Sequence, residues 1–547
     1  KMDYKDLANL IFPDAKDISY YEEKYPKRSL PEGAPVTRIG PSPTGFVHLG
    51  NLYNAIIGER LAHQNGGTFF LRIEDTDAKR EVEGAVELVI SAMDFFGIHF
   101  DEGASVDGDN GAYGPYRQRL RKEVYQCYAK ELVKKGLAYP CFCSEDDLSK
   151  MREEQISDKL NFGYYGKWAK CRDLSIDDIK KRIENGDKYV LRFKSNGDEN
   201  NHVEVYDGIR GMLNVSENYQ DFVLLKSDGI PTYHFAHVID DHLMRTTHVV
   251  RGEEWLSTLP IHVQLFDALG FDRPVYCHTA VLMKMDGDTK RKLSKRKDPE
   301  LGLEYYRSEG YAPRAVWEYL MTVLNSNFEE WRLENPDAPI DDFKFSLDKM
   351  SNSGALFDIM KFEDVSREVL LRTPANKIYD EFSDWLKEYD PEFYKLFTRD
   401  KNYSEKIIDV GRNGNRPRKD LTSWKQARDF FSFYFPETFK VEDEFPERVS
   451  KEDRYKILKQ YLTSFNIKDD NSEWFQKIRD ITESMGYAVK PKDFKKNPDM
   501  YKGSVSDVSG VIRVAITGRT NSPDLWEICQ IIGEDEMTRR INLAIAG

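Results

Sequence analysis

The segment between residues 36 and 73 restricts the possible folds more than any other part of the chain. A short β-like run, Val36–Ile39, enters a Pro/Gly-rich loop, Gly40–Gly45, and a helix-compatible stretch, Asn51–Gln64, is followed at once by a second β-like run, Thr68–Ile73. A strand, glycine loop, helix and strand in this order are typical of the start of a parallel nucleotide-binding sheet. The sequence therefore predicts an α/β protein with a Rossmann-type parallel sheet.

The rest of the chain changes its pattern twice. Between residues 116 and 220, helical segments alternate with β-like pieces such as His202–Tyr206 and no nucleotide signature occurs, which predicts an insertion. The sheet pattern resumes at Phe222–Leu225 and His248–Arg251. From about residue 300 onward the apolar residues follow helical spacing, which predicts an all-helical C-terminal region.

Charge and cysteine content limit the class of protein. The net charge of −14 argues against a general nucleic-acid coat, because phosphate binding depends on Lys and Arg that release counterions. An acidic protein can still bind RNA along a local basic strip. The sequence has no run of about 18 apolar residues, a polar start at Lys1–Asp6, and six cysteines, too few for a disulfide scaffold. We therefore expect a cytoplasmic chain that does not span a membrane.

The loop Pro41–Gly50 is the first stretch that indicates chemistry. Gly50 allows the backbone to approach a purine, and the N-terminus of the following helix favours phosphate charge. His48 can donate a hydrogen bond to a phosphate oxygen as negative charge develops in a transition state. By itself, His48-Leu49-Gly50 is a weak signal, and a capping or core histidine is the better explanation of that tripeptide alone.

The loop Lys284–Asp298 is the second such stretch. Seven Lys and Arg residues crowd around Lys292-Leu293-Ser294-Lys295-Arg296. Dense positive charge suits a leaving pyrophosphate, because cationic groups stabilise phosphoryl charge where it develops. Taken in isolation, the cluster is better explained as a solvated basic loop or a nuclear-localisation-type patch.

Together, the two loops resemble the paired signatures of class I aminoacyl-tRNA synthetases. Further ordered blocks are similar to successive motifs of the bacterial glutamyl-tRNA synthetases, and this resemblance covers roughly Val36 to Leu303. These blocks are Thr37–Gly45, Leu71–Asp77, Leu225–Gly229, Pro231–His234, Asp240–Leu243 and Arg251–Trp255, with weaker similarities at Leu356–Asp358 and Arg513–Gly518. The resemblance implies activation of L-glutamate by ATP and its transfer to the 3′-terminal adenosine of tRNA(Glu).

The resemblance also implies an order of domains. Residues 1–33 form an N-terminal extension, 34–115 the first half of the Rossmann-type catalytic domain, 116–220 an inserted domain that binds the tRNA acceptor end, 221–275 the second catalytic half, 276–370 a stem-contact region with the basic ATP-signature loop, and 371–547 a helical anticodon-binding region. The sequence does not indicate what the extension does. A monomer is expected.

By the same resemblance, the amino-acid pocket falls on Arg38, Ser42, Glu74, Tyr233 and Arg251. Arg38 or Arg251 can clamp a carboxylate with two parallel hydrogen bonds, which a neutral glutamine amide does not match. Glu74 can accept from the substrate ammonium, and the Tyr233 hydroxyl adds a polar contact. The alternative is that Arg38, Glu74 and Arg251 form an internal ion network.

The nucleotide positions follow from the two loops. The resemblance assigns catalytic roles to His48, Gly50, Lys292 and Lys295, and ATP contacts to Thr44, His48, Gly50, Asn51, Glu254, Lys292, Ser294 and Lys295, with Mg²⁺ bound mainly by the nucleotide. Two positions depart from the family pattern. Asn51 replaces a histidine, and His237 stands where an asparagine is expected. His237 can hold the substrate α-carboxylate but adds pH dependence.

Cys141-Phe142-Cys143, with Cys171 after a Tyr164-Tyr165-Gly166 turn, resembles a zinc knuckle of some family members. Three thiols and a fourth ligand suit tetrahedral zinc. Asp173 stands where a histidine is expected as a ligand. The alternative is three buried thiols without metal.

Two basic stretches in the C-terminal region are candidates for anticodon binding. They are Arg412–Arg428, which contains Arg416 and Arg418, and Lys490–Lys502, in which lysines alternate with aromatic residues. Phosphate contacts combined with base stacking are what an unpaired RNA loop requires. An ordinary solvated helix face explains either stretch alone as well.

Three rival functions fit parts of this pattern. Glutaminyl-tRNA synthetases share the fold, but their first motif resembles Pro-Glu-Pro-Asn-Gly, where this chain has Pro41–Gly45. A truncated relative that glutamylates a modified base lacks an anticodon domain, whereas a long helical region follows here. A non-catalytic RNA-binding paralogue does not need His48, Gly50, Lys292 or Lys295. Whether tRNA(Gln) is charged as well stays open.

Overall fold

The computed structural model describes residues 2–547. Its strands are β1 (Val36–Ile39), β2 (Thr68–Leu71), β3 (Glu102–Ser105), β4 (Gly108–Asn110), β5 (Ala138–Cys141), β6 (Val190–Phe193), β7 (His202–Asp207), β8 (Gly211–Ser216), β9 (Val223–Leu225), β10 (His248–Gly252), β11 (Val275–Thr279), β12 (Leu282–Asp286), β13 (Thr289–Lys292) and β14 (Ala355–Leu356). The helices up to residue 334 are α1 (Tyr4–Ile11), α2 (Ile18–Lys24), α3 (Leu49–His63), α4 (Ala85–Phe95), α5 (Lys122–Lys134), α6 (Glu145–Ser157), α7 (Ile176–Glu184), α8 (Tyr233–Leu243), α9 (Leu259–Leu269), α10 (Leu303–Glu309), α11 (Pro313–Leu324) and α12 (Phe328–Glu334). The later helices are α13 (Ile359–Leu371), α14 (Ala375–Tyr389), α15 (Pro391–Thr398), α16 (Lys401–Asp409), α17 (Trp424–Phe431), α18 (Lys451–Ser464), α19 (Asn471–Ser484), α20 (Pro491–Lys496), α21 (Val505–Thr517), α22 (Leu525–Ile532) and α23 (Glu534–Ala546).

The chain forms two compact units. The first contains residues 1–305 and 320–358, and the second contains residues 306–319 and 359–547. All strands of the described residues lie in the first unit. Within residues 2–547, none of the helices combines the length and apolar character needed to cross a membrane.

A parallel sheet forms the centre of the first unit. Strands β1, β2 and β3 pair in parallel, and β10 pairs in parallel with β11, where Arg251 lies opposite His278. The backbone N–H of Thr247, just before β10, donates to the Val36 carbonyl oxygen at 2.9 Å, so β10 lies beside β1. This arrangement confirms the predicted Rossmann-type sheet.

Helix α3 joins β1 to β2 as the sequence pattern predicts. It begins at Leu49, two residues before the predicted start, and ends at His63. Leu52, Ile56 and Ile57 are completely buried, which explains why the helix reads as apolar around most of its circumference. The helix follows the Pro/Gly loop directly, so its N-terminus lies at the carboxyl edge of the sheet, where α/β proteins bind their ligands.

The predicted insertion, residues 116–220, contributes to two sheets. Strands β5 and β6 form an antiparallel sheet with β9. The β7–β8 hairpin attaches to β11 through the pairing of Asp207 with Tyr276. Asp207 therefore comes close to the nucleotide-binding sheet, although it belongs to a stretch without any nucleotide signature.

The N-terminal extension contributes buried side chains to the first unit. Helices α1 and α2 bury Leu7, Tyr21 and Tyr25, and Tyr25 is completely inaccessible to solvent. Glu22 accepts hydrogen bonds from Tyr128 and Arg245 and contacts His242 Nε2 at 2.7 Å. The extension thus packs against the C-terminal end of α8.

The second unit is helical, as the spacing of apolar residues after residue 300 predicts. Its core is built from aromatic and aliphatic side chains of α13 to α19 and α21 to α23, including Phe382, Phe431, Ile478 and Ile512. Helix spacing was enough to predict the fold class here because each helix buries one apolar face.

Candidate active site

A cavity of about 390 Å³ opens at the carboxyl ends of β1 and β10. Nine of the predicted site residues line it: Arg38, Ser42, Thr44, His48, Asn51, Glu74, Tyr233, Arg251 and Glu254. The predicted residues Gly50, His237, Lys292, Ser294 and Lys295 are not part of its lining. Most of the predicted amino-acid and ATP positions therefore share one cavity, although they come from segments far apart in the sequence.

A buried ionic network lies at one side of the cavity. Arg38 donates two hydrogen bonds to the Asp241 carboxylate, at 3.0 and 2.8 Å. Arg72 donates to the same carboxylate and to Glu74 Oε1, the latter at 3.0 Å. Two guanidinium groups and two carboxylates thus compensate each other. Asp241 and Arg72 lie within sequence blocks of the resemblance, but the sequence gives them no role.

The network sets the charge states of its acids in opposite directions. Burial alone would raise the pKa of Asp241, but Arg38 and Arg72 hold it well below its usual range. Burial raises the pKa of Glu74, although Arg72 and Arg38 oppose this shift. A side chain at position 40 would collide with the Glu74 carboxylate, so Gly40 is required for this close approach.

Arg251 has a different environment from Arg38. Its Nε donates to His278 Nε2 at 3.0 Å, and its Nη1 lies 3.0 Å from His262 Nδ1. Its Nη2 is buried and has no hydrogen-bond partner within residues 2–547. The alternative of an internal ion network therefore applies to Arg38 and Glu74, which are linked through Asp241 and Arg72. The hydrogen bonds of Arg251 go to two imidazoles instead.

Tyr233 begins α8 and stacks on Trp255, with 4.3 Å between the ring centres. Burial raises the pKa of Tyr233. His237, one turn later, is completely buried, and its ring nitrogens lie 2.6 Å from Asp241 Oδ2 and 2.9 Å from the Tyr276 hydroxyl. Burial lowers the pKa of His237 to about 3. Its predicted contact with the substrate α-carboxylate stays a prediction.

His48 has the positions expected of both a helix-capping residue and a nucleotide-binding residue, which the sequence analysis gave as alternatives. It is the N-cap residue of α3, where its backbone N–H donates to Asn51 Oδ1 at 2.9 Å, and its side chain also lines the cavity. A side chain at Gly50 would approach His48 Nδ1 to 2.9 Å, so glycine leaves space for the ring. Burial lowers the pKa of His48, and Lys292 acts in the same direction while Glu254 opposes it.

The two signature loops meet in space. His48 pairs with Gly302 in an isolated antiparallel bridge, and the Lys295 ammonium lies 4.5 Å from the centre of the Phe46 ring. Only the turn Pro299–Leu301 separates Gly302 from the basic loop, so this bridge holds the end of that loop near His48.

Asp298 organises the basic loop, a role that the sequence did not indicate. It accepts hydrogen bonds from Arg291 at 2.7 and 2.8 Å, from Lys284 at 3.2 Å and from the Ser294 backbone N–H at 2.8 Å. The hydrogen bonds from Arg291 hold the pKa of Asp298 below its usual range. The remaining cations Lys290, Lys292, Lys295, Arg296 and Lys297 are exposed. Charge pairing at the base of the loop therefore leaves its tip cationic.

The predicted zinc ligands also converge. The sulfur atoms of Cys141, Cys143 and Cys171 lie within 4.8 Å of one another, and those of Cys143 and Cys171 are 3.8 Å apart. Thiolates at about 2.3 Å from a tetrahedral zinc ion are separated by roughly this distance. The Tyr164 hydroxyl lies 3.3 Å from Cys143 Sγ, which offers a fourth donor. Asp173, by contrast, is exposed and outside this group.

The predicted anticodon residues lie between α16 and α17. Arg418 donates two hydrogen bonds to Asp420, each of 2.9 Å, whereas Arg416 is exposed. Arg412 donates to the carbonyl oxygens of Leu370 and Leu371 at the C-terminal end of α13, so this member of the basic stretch has a structural contact.

Comparison with known proteins gives consistent matches. Residues 35–362 match the family described as tRNA synthetases class I (E and Q), catalytic domain, and residues 502–545 match an anticodon binding domain. A glutamate–tRNA ligase of Acetivibrio thermocellus is 58% identical over 542 residues, which cover 99% of each chain. One from Clostridium perfringens strain 13 is 50% identical over 548 residues, covering 99% of this chain and all of the relative. The crystal structure of a glutamate tRNA ligase from Elizabethkingia meningosepticum, in complex with its amino acid, superposes with a TM-score of 0.76 at 29% identity, covering 94% of this chain and 99% of that one.

Proposed function

The chain belongs to the class I tRNA synthetases for glutamate and glutamine, and within them to the glutamate–tRNA ligases, and we propose that its reaction takes place in the cavity between β1 and β10. It is an aminoacyl-tRNA ligase that uses ATP to activate L-glutamate and transfers it to tRNA(Glu). The observation that carries this conclusion is the 58% identity to a glutamate–tRNA ligase across 99% of both chains. We further propose that the protein acts in the cytoplasm and that it is a monomer.

The amino acid is proposed to bind between Arg251 and Glu74. The buried, unpartnered Nη2 of Arg251 supports this assignment, since a substrate carboxylate would satisfy it. Glu74 faces the same cavity and can accept from the substrate ammonium. The proposed pocket is completed by Tyr233, Ser42 and Arg38. Arg38 would contact the amino acid while it keeps its ion pair with Asp241.

ATP is proposed to bind between the two signature loops. The glutamate α-carboxylate attacks the α-phosphorus, and pyrophosphate leaves toward the cationic loop. His48, Lys292 and Lys295 would stabilise the charge that develops on the phosphate oxygens. Further proposed ATP contacts are Thr44, Gly50, Asn51, Glu254 and Ser294. Mg²⁺ would be held mainly by the nucleotide.

The second step is transfer of glutamate to the terminal ribose of tRNA. A ribose hydroxyl attacks the adenylate carbonyl, and AMP leaves. This step requires no nucleophile from the protein, so catalysis is proposed to depend on orientation and electrostatics. The anticodon is proposed to contact the C-terminal helical region, and the match of residues 502–545 to an anticodon binding domain supports this. Arg416 and Arg418, which precede the matched residues, are the candidates for this contact.

Zinc is proposed to bind Cys141, Cys143 and Cys171, with the Tyr164 hydroxyl as the fourth ligand. The spacing of the sulfur atoms supports this set. Hydrogen bonds from Cys143 and Cys171 lower the pKa of Cys141, whereas hydrogen bonding to Cys141 and Cys171 raises that of Cys143. Zinc would stabilise the inserted domain, and no chemical step is assigned to it.

The direct test is glutamate-dependent ATP–pyrophosphate exchange in the presence of purified tRNA(Glu), followed by charging of tRNA(Glu) and tRNA(Gln). Exchange with glutamate but not glutamine, and charging of tRNA(Glu), are expected. Charging of tRNA(Gln) in the same assay would reveal a broader tRNA specificity. Absence of exchange in a folded protein would favour a non-catalytic RNA-binding role.

A further inference from the structure

Arg251 is held from two sides by histidines. On one side its Nε donates to His278 Nε2, and His278 Nδ1 lies 2.7 Å from Asp207 Oδ2. On the other side its Nη1 contacts His262 Nδ1, and His262 Nε2 lies 2.8 Å from His234 Nδ1. His262 and His278 are completely buried. The third nitrogen of the guanidinium, Nη2, is buried and has no hydrogen-bond partner within residues 2–547, and the Tyr233 hydroxyl also interacts with the Arg251 side chain.

The chemistry of arginine fixes the state of both rings. A guanidinium offers only donors, so the nitrogen that faces it on each histidine must be an unprotonated acceptor. His278 then carries its proton on Nδ1 and donates it to Asp207, and His262 donates from Nε2 to His234. Burial lowers the pKa of His278, and burial together with Arg251 lowers that of His262 well below its usual range. Both rings are therefore neutral.

Because His262 and His278 are neutral, they do not compensate the positive charge of Arg251. Arg38 is bound to the Asp241 carboxylate, which compensates its charge. Arg251 receives its orientation from two hydrogen bonds to uncharged rings, and the Asp207 carboxylate is one imidazole further away. A carboxylate in place of either ring would hold the guanidinium equally well but would cancel the charge that an anionic substrate needs.

We propose that His278 and His262 are positioning residues for glutamate, which hold Arg251 through neutral acceptors so that its free N–H edge and uncompensated charge meet a substrate carboxylate. Asp207 and His234 fix the tautomers of the two rings from behind. This inference rests on the proposed function and adds two histidines of α9 and β11, and Asp207 of β7, to the elements that determine amino-acid affinity.

The isosteric pair His278→Gln and His278→Glu tests the proposal. Both side chains place an oxygen near the former Nε2, but only Glu adds a negative charge beside Arg251. We expect His278→Gln to keep the KM for glutamate within about threefold of wild type, and His278→Glu to raise it by about tenfold or more, as expected when a charge-assisted hydrogen bond is lost. The KM for ATP should change little in either variant.

His262→Asn and His262→Leu provide the second comparison, since Asn keeps an acceptor at the position of Nδ1 and Leu removes it. The Leu variant should raise the KM for glutamate, and the Asn variant should restore most of the affinity. His202→Leu, at an exposed position of β7 outside the cavity, is the matched control. Circular dichroism and melting curves identify variants that do not fold.

Each outcome has a defined meaning. Equal glutamate KM values in folded His278→Gln and His278→Glu would overturn the positioning role. A rise in the KM for ATP as large as the rise in the KM for glutamate in His278→Glu would also overturn it. If the wild-type protein shows no glutamate-dependent exchange with tRNA(Glu), the proposed function fails and this inference fails with it. Wild-type exchange combined with unaffected variants would overturn the inference alone.

Discussion

The Lys295 ammonium lies 4.5 Å from the centre of the Phe46 ring, so the basic loop contacts the loop that leads into α3. The two residues belong to the two segments that the sequence marks as nucleotide signatures. Phe46 also lies beside His48, with 5.9 Å between the ring centres, so this contact brings Lys295 close to His48. Charge on Lys295 is therefore expected to act where the phosphates of ATP would lie.

Lys295→Ala should lower the rate of adenylate formation by roughly 100-fold or more while glutamate affinity changes little, because the charge matters mainly in the transition state. Single-turnover measurements with tRNA(Glu) present provide the rate. Lys290→Ala, an exposed lysine of β13 on the same hairpin, is the control. An unchanged rate in Lys295→Ala would refute the role of this loop.

Arg38→Ala and Arg251→Ala should both abolish glutamate recognition, since loss of one partner of a buried charge pair typically costs several kcal/mol. Their effects on folding should differ. Arg38→Ala leaves Asp241 with Arg72 as its remaining guanidinium partner and should lower the melting temperature, whereas Arg251→Ala removes hydrogen bonds to neutral rings and should lower it less. Normal glutamate KM values in both variants would mean that the pocket lies elsewhere.

Protein purified without chelator should contain about one zinc ion per chain, as expected for one tetrahedral site. Cys141→Ser should abolish this metal content, and Tyr164→Phe should weaken zinc retention against a competing chelator because the fourth donor is lost. Metal analysis by mass spectrometry gives the ratio, and Cys127→Ser, outside the cluster, is the control. A stable, active protein without metal would rule out the site.

Arg418→Gln should narrow the difference in charging between tRNA(Glu) and tRNA(Gln), with a loss of about 1–3 kcal/mol if one base contact is removed. A guanidinium can favour the cytosine of a glutamate anticodon over the guanine of a glutamine anticodon. Because Arg418 is paired with Asp420, Asp420→Asn should change the same discrimination. Arg416→Gln, at the exposed arginine of the same stretch, shows whether the loss of any arginine there has the same effect on charging. An equal loss for both tRNAs, with weaker salt dependence, would indicate a phosphate contact instead.

Glu22→Gln should destabilise the first unit above pH 4.5 but not near pH 2. Burial alone would raise the pKa of Glu22, but hydrogen bonds from His242, Arg245 and Tyr128 lower it from its ordinary 4.5 to about 2. A carboxylate with a lowered pKa stabilises the fold above its unfolded-state pKa, and this contribution is lost as the pH falls through the folded-state value. Denaturant unfolding across this range measures the difference, with the exposed Glu23→Gln as control. A difference that does not depend on pH would contradict this role.

The sequence by itself determined the fold class, and it predicted most of the residues that line one cavity. The strand at Val36–Ile39, the glycine loop and the apolar helix after it are local patterns, and each follows from steric and hydrophobic preferences over a few residues. The motif blocks also predicted that Arg38, Glu74, Tyr233 and Arg251 share one pocket. In the structure, all four line the same cavity.

Only the tertiary structure decided how the charges are distributed among those residues. Arg38 and Arg251 look equivalent in the sequence, but one is compensated by Asp241 and the other is held by neutral imidazoles. The physical reason is distance along the chain. Whether a charge is cancelled depends on which partner comes within about 3 Å of it, and that depends on how distant strands and helices pack, which local patterns do not encode.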